Sequence, residues 1–212
     1  MAITLVIDTC LAACQVAAFD GARLIAGASE PMERGHQERL APMAAEVMAE
    51  AGLAFAGLGK LAVTIGPGSF TGLRVGLAFA KGLHLATRAP LAGIGTLAAL
   101  AASGEGACAG VIDARREVVY VQVFDDDAAL MDAAALPVPE AILTLARLAP
   151  GRLRLIGNGA TLLAHGLPHA IVEVRPTPDL AALGRLATAA APEPDVRPLY
   201  LRAVDAKPIA AP

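Results

Sequence analysis

The chain has 212 residues, of which 56% are hydrophobic and 17% are charged, so it can bury one large core or two small ones. Its formal net charge of −3 gives no strongly basic footprint, so we do not expect the chain to grip nucleic acid by itself. Three cysteines, with no signal-peptide pattern in the first residues and no uncharged apolar run of the roughly 18 residues that a membrane span needs, lead us to expect a cytoplasmic protein with reduced thiols.

The first half of the sequence reads as three strands followed by alternating helices and strands. Asp20-Gly21 is a hairpin signal between the second and third strands. Pro42 falls in the first turns of the first helix, where a proline starts or kinks a helix. The predicted strands cover residues 3–7, 14–19, 23–29, 61–65 and 90–94, and the predicted helices 37–51, 72–87 and 96–102.

The second half repeats this order after a linker at residues 103–106. The linker reads Ser-Gly-Glu-Gly, which is typical of a flexible connection, so we predict subdomains at 1–104 and 105–212. The predicted fold is α/β, with two tandem actin/Hsp70/sugar-kinase-like (ASKHA) subdomains, each a mixed sheet flanked by helices. The predicted strands cover residues 108–112, 117–124, 130–136, 153–156 and 171–174, and the predicted helices 140–148, 161–164 and 179–190.

A glycine turn at residues 66–72 separates a buried strand from the longest predicted helix. Five residues lie between Gly66 and Gly72, one more than in a Walker loop, and Thr71 breaks the dinucleotide fingerprint. Ser69 or Thr71 can cap the helix. Two interpretations stay open: a tight structural turn, or an anion site at the helix start.

The helix after the turn is apolar around most of its circumference. Arg74, Lys81 and Arg88 recur every seven residues and form one polar stripe. Such a helix is either a central core helix or covered by a partner.

Several segments together resemble the TsaB (YeaZ) family, which belongs to the bacterial machinery that makes N6-threonylcarbamoyladenosine (t6A) in tRNA. The resemblance covers essentially the whole chain. It is carried by residues 66–83 (GPGSFTGLRVGLAFAKGL), 8–10 (DTC), 35–40 (GHQERL), 113–120 (DARREVVY) and 198–202 (PLYLR).

The resemblance implies a non-catalytic subunit and not a protease. It implies pairing with a TsaD-like transferase that modifies tRNA adenosine 37, together with a TsaE-like ATPase, while tRNA is reached only through the complex and a homodimer forms when the partner is absent. ATP or ADP would bind, if at all, at the interface of the complex. The absence of a G-x-S-x-G elbow agrees with the exclusion of protease activity. The expected partner interface consists of His36, Leu40, Met43, Val47, Arg74, Leu77, Ala80 and Lys81.

No metal site is expected. The TsaD-like relatives bind a metal through two histidines four residues apart on the first long helix, whereas here Leu40 stands four residues after His36. His165 and His169 have that spacing, but Gly166 and Pro168 disfavour a regular helix between them.

An ATP-dependent phosphotransferase acting through the cleft between the halves is the alternative hypothesis. Its candidate nucleotide contacts are Asp8, Asp113, Gly157 and Gly159, at strand ends and in a Gly-Asn-Gly turn. A carboxylate in such a place also closes a turn by accepting backbone N–H groups, which is the interpretation we favour for Asp8. The arginines that follow Asp113 could hold an anion, although exposed arginines are more often solvated or paired.

Overall fold

The computed structural model describes residues 3–126, 128–149 and 151–202. It contains two mixed β-sheets with helices on their faces, as the sequence predicted. In the first half the elements are β1 Ile3–Asp8, β2 Ala13–Asp20, β3 Arg23–Pro31, α1 His36–Glu50, β4 Leu58–Gly66, α2 Phe70–Thr87, β5 Leu91–Gly95 and α3 Thr96–Ala101. In the second half they are β6 Ala107–Asp113, β7 Val118–Asp125, β8 Ala128–Ala129, β9 Ala134–Pro137, α4 Val138–Leu148, β10 Arg154–Ile156, α5 Ala160–Leu163, β11 Ile171–Glu173 and α6 Leu180–Ala189.

The two sheets share one strand order. The first runs β3-β2-β1-β4-β5, and the second contains β9-β7-β6-β10-β11, with β8 also paired to β7. In both, the first three strands pair antiparallel and the later two join in parallel. Parallel neighbours require a crossover connection, and α1, α2, α4 and α5 supply it.

Predicted and observed elements differ mainly at their ends. The first helix begins at His36, six residues before Pro42, so the proline lies inside the helix and does not start it. The third strand of the second half is shorter than predicted, because residues 130–133 form a bend between β8 and β9. None of the helices in the described ranges is both long and apolar enough to cross a bilayer.

Apolar side chains fill both faces of the first sheet. Helices α1 and α2 cover one face, and α6 with α3 covers the other. The predicted boundary at residues 104 and 105 separates the two sheets, but α6 lies beyond it and packs on the first sheet. The chain after α6 also returns there, where the backbone N–H of Leu199 donates to Ile65 O at 2.7 Å.

Helix α3 lies between the two sheets. Its buried Leu97 and Leu100 pack with Cys108, Ile112 and Ile156 of the second sheet, while α3 also contacts β4 and β5. Leu11, just after β1, and Ile112, near the end of β6, belong to the same buried cluster, so the carboxyl ends of these two strands lie at the junction of the two sheets. We call this junction the cleft, and a candidate site must be sought there.

Candidate functional site

The glycine turn before α2 is packed against the end of β1. A Cβ at Gly68 would collide with the carbonyl of Cys10, and one at Gly72 with the carbonyl of Thr9. The backbone N–H of Ser69 donates to Cys10 O at 2.7 Å, and Thr9 Oγ1 donates to Gly72 O at 2.7 Å. Glycine is needed here because two backbone segments approach closely. The geometry therefore favours the structural turn over the anion site.

The Gly-Asn-Gly turn makes the equivalent contact in the second sheet. The N–H of Gly159 donates to Val111 O at 3.1 Å, and a Cβ at Gly157 would collide with that same carbonyl. Asn158 Oδ1 accepts the N–H of Asp113 at 3.0 Å. Both glycine turns are thus locked onto a neighbouring strand of their own sheet.

Asp8 is fully buried at the end of β1. Its Oδ1 accepts the backbone N–H of Cys10 at 3.0 Å and the hydroxyl of Thr64 at 2.6 Å. Burial raises the pKa of Asp8, although both hydrogen bonds lower it. The bond to Cys10 is the turn closure that the sequence favoured, and Oδ2 has no hydrogen-bond partner among the described residues.

The thiol next to this carboxyl lies in surroundings that disfavour a nucleophile. Cys10 is fully buried, and burial raises the pKa of its thiol to about 12, with the nearby Asp8 carboxylate adding to the rise. A thiolate is the reactive form of cysteine, so Cys10 stays protonated and packs as part of the core.

Asp113 closes the matching turn at the end of β6. Its Oδ1 accepts the N–H of Arg115 at 2.8 Å, and its Oδ2 lies 3.5 Å from the guanidinium of the same residue. Unlike Asp8, its side chain keeps 28% of its surface exposed. Two of the candidate nucleotide contacts, Asp8 and Asp113, are therefore engaged in turns of the same kind.

The structure brings no metal-binding cluster together in the ranges it describes. His36 begins α1 and is 5% exposed, and its Nε2 has no hydrogen-bond partner among those residues. Leu40 points into the core. His165 lies in a short 3₁₀ turn, Ala164–Gly166, and His169 follows it outside any helix.

The expected partner interface requires a correction. Its apolar members are packed in the chain's own core between the sheet and the two helices, because the apolar faces of α1 and α2 point inward. They cannot form a docking surface while the chain keeps this fold. These residues are Leu40, Met43, Val47, Leu77 and Ala80.

The opposite sides of the same two helices are exposed and carry small residues. Arg74 is exposed beside them, and Lys81 is half-buried with its Nζ 3.5 Å from Asp195. A Cβ at Gly82 would have no neighbouring heavy atom within 4 Å, and Leu85 is 65% exposed. We call this surface the outer helical face, and it comprises Ala41, Ala45, Ala49, Ala78, Gly82 and Leu85.

Sequence reasoning missed one contact at the cleft. Tyr200 lies against Phe70, with ring centroids 5.7 Å apart, and its hydroxyl is 3.1 Å from Arg74 Nε. No local pattern could indicate it, because about 130 residues of chain separate the partners.

A family model described as "TsaD: tRNA N6-adenosine threonylcarbamoyltransferase" matches residues 30–191. The chain is 34% identical over 128 residues to the tRNA threonylcarbamoyladenosine biosynthesis protein TsaB of Escherichia coli, an alignment that covers 58% of the chain. The chain belongs to the TsaD family and, within it, to the TsaB (YeaZ) proteins.

Solved structures agree with this family and with the fold. YeaZ from Pseudomonas aeruginosa superposes with a TM-score of 0.79 at 26% identity, covering 95% of the chain and all of that structure. A hexokinase of the ROK group from Thermus thermophilus superposes with a TM-score of 0.51 at 15% identity over 89% of the chain and 98% of that structure, which shows the fold alone. The predicted ASKHA-like fold is therefore confirmed.

The chain spans only part of some relatives. It covers 55% of the Escherichia coli protein and 58% of an uncharacterized Mycobacterium leprae protein, to which it is 35% identical over 221 aligned positions.

Proposed function

We propose that this TsaB-family chain is a non-catalytic subunit for t6A modification of tRNA adenosine 37, acting in the cytoplasm by binding a TsaD-like transferase. The observation that carries the proposal is the outer helical face. It presents small apolar residues on two adjacent helices, α1 and α2, and nothing in the described chain covers it.

Small residues make this face suitable for docking helices. Ala41, Ala45 and Ala49 lie four residues apart on α1, and Ala78 and Gly82 do so on α2, so each set forms one stripe. Without long side chains, a partner's helices can approach closely and bury area at little cost in side-chain entropy. A partner of the same fold would dock pseudo-symmetrically, and a second copy of this chain would use the same face in a homodimer.

The close packing of the two glycine turns favours a non-catalytic role for this chain over a catalytic one. In each half, backbone atoms of the neighbouring segment already occupy the space beside the glycine turn. The Asp8 carboxyl is fully buried. We therefore place any ATP or ADP where the subunits meet, and a TsaE-like ATPase completes the proposed complex.

Charge placed on the outer helical face tests the docking. Ala45→Glu and Gly82→Glu each put a carboxylate into an open, exposed position, so the fold should persist while pairing with the TsaD-like subunit is lost in size-exclusion chromatography. Ala146→Glu on the exposed side of α4 is the matched control and should pair normally. Unchanged pairing of both face variants would refute the interface.

Modification in cells tests the function. Depleting this chain should lower t6A measured by nucleoside mass spectrometry, and the parent and Asp8→Asn should restore it while Gly82→Glu should not. The amide keeps the oxygen that accepts from Cys10 and Thr64 but removes the acid that a phosphotransferase would need. Unchanged t6A after depletion would defeat the proposal, and failure of Asp8→Asn alone would favour the phosphotransferase.

A further inference from the structure

An aromatic and arginine cluster lies beside the cleft, because its Tyr200 precedes Leu201, which packs against the buried cluster of Leu11 and Ile112. Phe70 is 40% exposed and Tyr200 is 43% exposed, and they are the two aromatic side chains among the described residues that expose more than a third of their surface. Their rings are in contact, and the Arg74 guanidinium lies 3.5 Å above the Phe70 ring. Only 3% of the chain is aromatic and it has no tryptophan, so two of its few aromatic side chains are exposed and in contact with each other.

Arginines continue from this cluster across the cleft. Arg202 follows Tyr200 by two residues, which is at most about 7 Å of extended chain, and its Nη1 donates to Ala114 O at 2.9 Å on the second sheet. The neighbouring Arg115 has a side chain that is 87% exposed. Arginines are therefore present both at the start of α2 and beside the end of β6, and we call Arg74, Arg202 and Arg115 the arginine line.

Little negative charge balances this line. Asp113 is paired with Arg115 at 3.5 Å, and Glu117 follows two residues later. No carboxylate of the described chain forms an ion pair with Arg74 or Arg202. A local positive surface on a chain of net charge −3 indicates a specific anionic ligand, because general attraction to polyanions is excluded.

We propose that Phe70, Tyr200 and Arg74, with Arg202 and Arg115, bind an unpaired stretch of RNA. Exposed aromatic rings and arginine planes stack on the faces of unpaired bases, while adjacent guanidinium groups contact phosphates. An acidic protein segment would pair with the arginines but leave the Phe70 and Tyr200 rings exposed to water. The two exposed rings therefore favour RNA over an acidic protein segment as the ligand. The inference rests on the proposed function, since it makes this surface a contact for the unpaired loop of the tRNA substrate.

The chain provides its own probe for the test. It has two tyrosines, so 3-fluorotyrosine labelling gives two ¹⁹F resonances, and Tyr120→Phe assigns them. The labelled full chain, alone and with the TsaD-like subunit, is titrated with a hairpin RNA carrying an adenine-containing loop. A fully paired duplex of the same composition and poly-glutamate are the competing ligands.

The Tyr200 resonance should move with the hairpin, move less with the duplex, and stay in place with poly-glutamate. Arg74→Ala and Phe70→Leu should each weaken hairpin binding by about tenfold, whereas Arg74→Lys, which keeps the charge but not the plane, should lose only part of the affinity. Arg23→Ala, at the exposed hairpin of the first sheet, should change the affinity by less than about twofold. An unchanged Tyr120 resonance shows that each variant is folded.

Two results would overturn the proposal. An equal Tyr200 shift with poly-glutamate would assign the surface to an acidic protein, and no shift with the hairpin in either sample would remove the RNA site. Its failure is separate from that of the proposed function. If Phe70→Leu and Arg74→Ala leave hairpin binding unaffected and cells carrying them have full t6A, the RNA contact is wrong and the subunit role stands. If the hairpin shifts the Tyr200 resonance but the chain does not pair with the transferase, the RNA contact stands and the subunit role is wrong.

Discussion

The two sheets of this protein have the same strand order but different coverings. In the first, helices of 15 and 18 residues, α1 and α2, cross one face. In the second, the corresponding helices α4 and α5 have 11 and 4 residues. Both halves lock a glycine turn onto a neighbouring strand and close an aspartate turn at the cleft. These shared features therefore maintain the fold. The two long helices are found only in the first half, and they carry the outer helical face that we propose as the docking surface.

The exposed sides of these helices show the same contrast. The exposed positions of α1 and α2 include the stripes of small residues together with charged residues such as Glu46 and Arg74, whereas the exposed positions of α4 include Glu140, Leu143 and Arg147. The difference between the halves is therefore the row of small residues at four-residue spacing, which lets another helix approach closely.

The largest expected effect comes from the glycine turns. Gly72→Ala and Gly159→Ala each force a Cβ into backbone atoms, which cannot move aside as a side chain can. We expect each to lower the free energy of unfolding by about 3 kcal/mol or more, measured by urea unfolding. Gly57→Ala, which has open space around it, is the control. A small loss at Gly159 alone would show that only the first half depends on its turn.

Asp8 should make the stability of the first half depend on pH. Burial raises its pKa above the ordinary 3.8, so the folded chain retains a proton that the unfolded chain has lost. This contribution is fully present below the unfolded pKa and is lost as the pH rises through the folded pKa. Asp8→Asn should therefore resist urea better than the parent at pH 7, with the difference shrinking towards pH 4.

The matched variant for this comparison is Asp113→Asn, because the Asp113 carboxyl is partly exposed and the variant controls for the loss of one negative charge. Parallel stability curves of the parent and Asp8→Asn across this pH range would contradict a raised pKa at Asp8.

The cap of α2 should have a moderate effect. Ser69 Oγ accepts the N–H of Gly72 at 3.2 Å, and α2 is the one α-helix in the described ranges whose N-cap side chain accepts such a bond. Ser69→Ala should cost about 1 kcal/mol of unfolding free energy. Thr71→Ala, at the other cap candidate from the sequence, should cost nothing. A larger loss of unfolding free energy in Thr71→Ala than in Ser69→Ala would indicate that Thr71 caps the helix.

The smallest effect is expected from the surface ion pairs. Arg39 Nε lies 2.8 Å from Glu30 and its Nη2 2.7 Å from Glu46, while Arg154 in the second half lies 2.6 Å from Glu173. Exposed pairs contribute little and are screened by salt. Arg39→Met and Arg154→Met should each shift the urea midpoint less than Ser69→Ala, and the shift should fall further in high salt. A large shift that is insensitive to salt would indicate that packing holds these side chains.

Much of the fold followed from local patterns in the sequence. Apolar runs predicted the strands, and the segments at residues 66–83 and 198–202 indicated the family. Such features depend on neighbours along the chain, so a sequence determines them by itself.

Other features were decided only when distant segments met. The apolar positions of α1 and α2, including Val47 and Leu77, were expected to face a partner but lie in the core, because periodicity shows that a helix has an apolar face and not what covers it. Likewise, α6 completes the first sheet, and Tyr200 joins Phe70 and Arg74. Burial and contact between residues far apart in the chain depend on the packing of whole elements, so the tertiary structure alone could reveal the outer helical face and the cluster at the cleft.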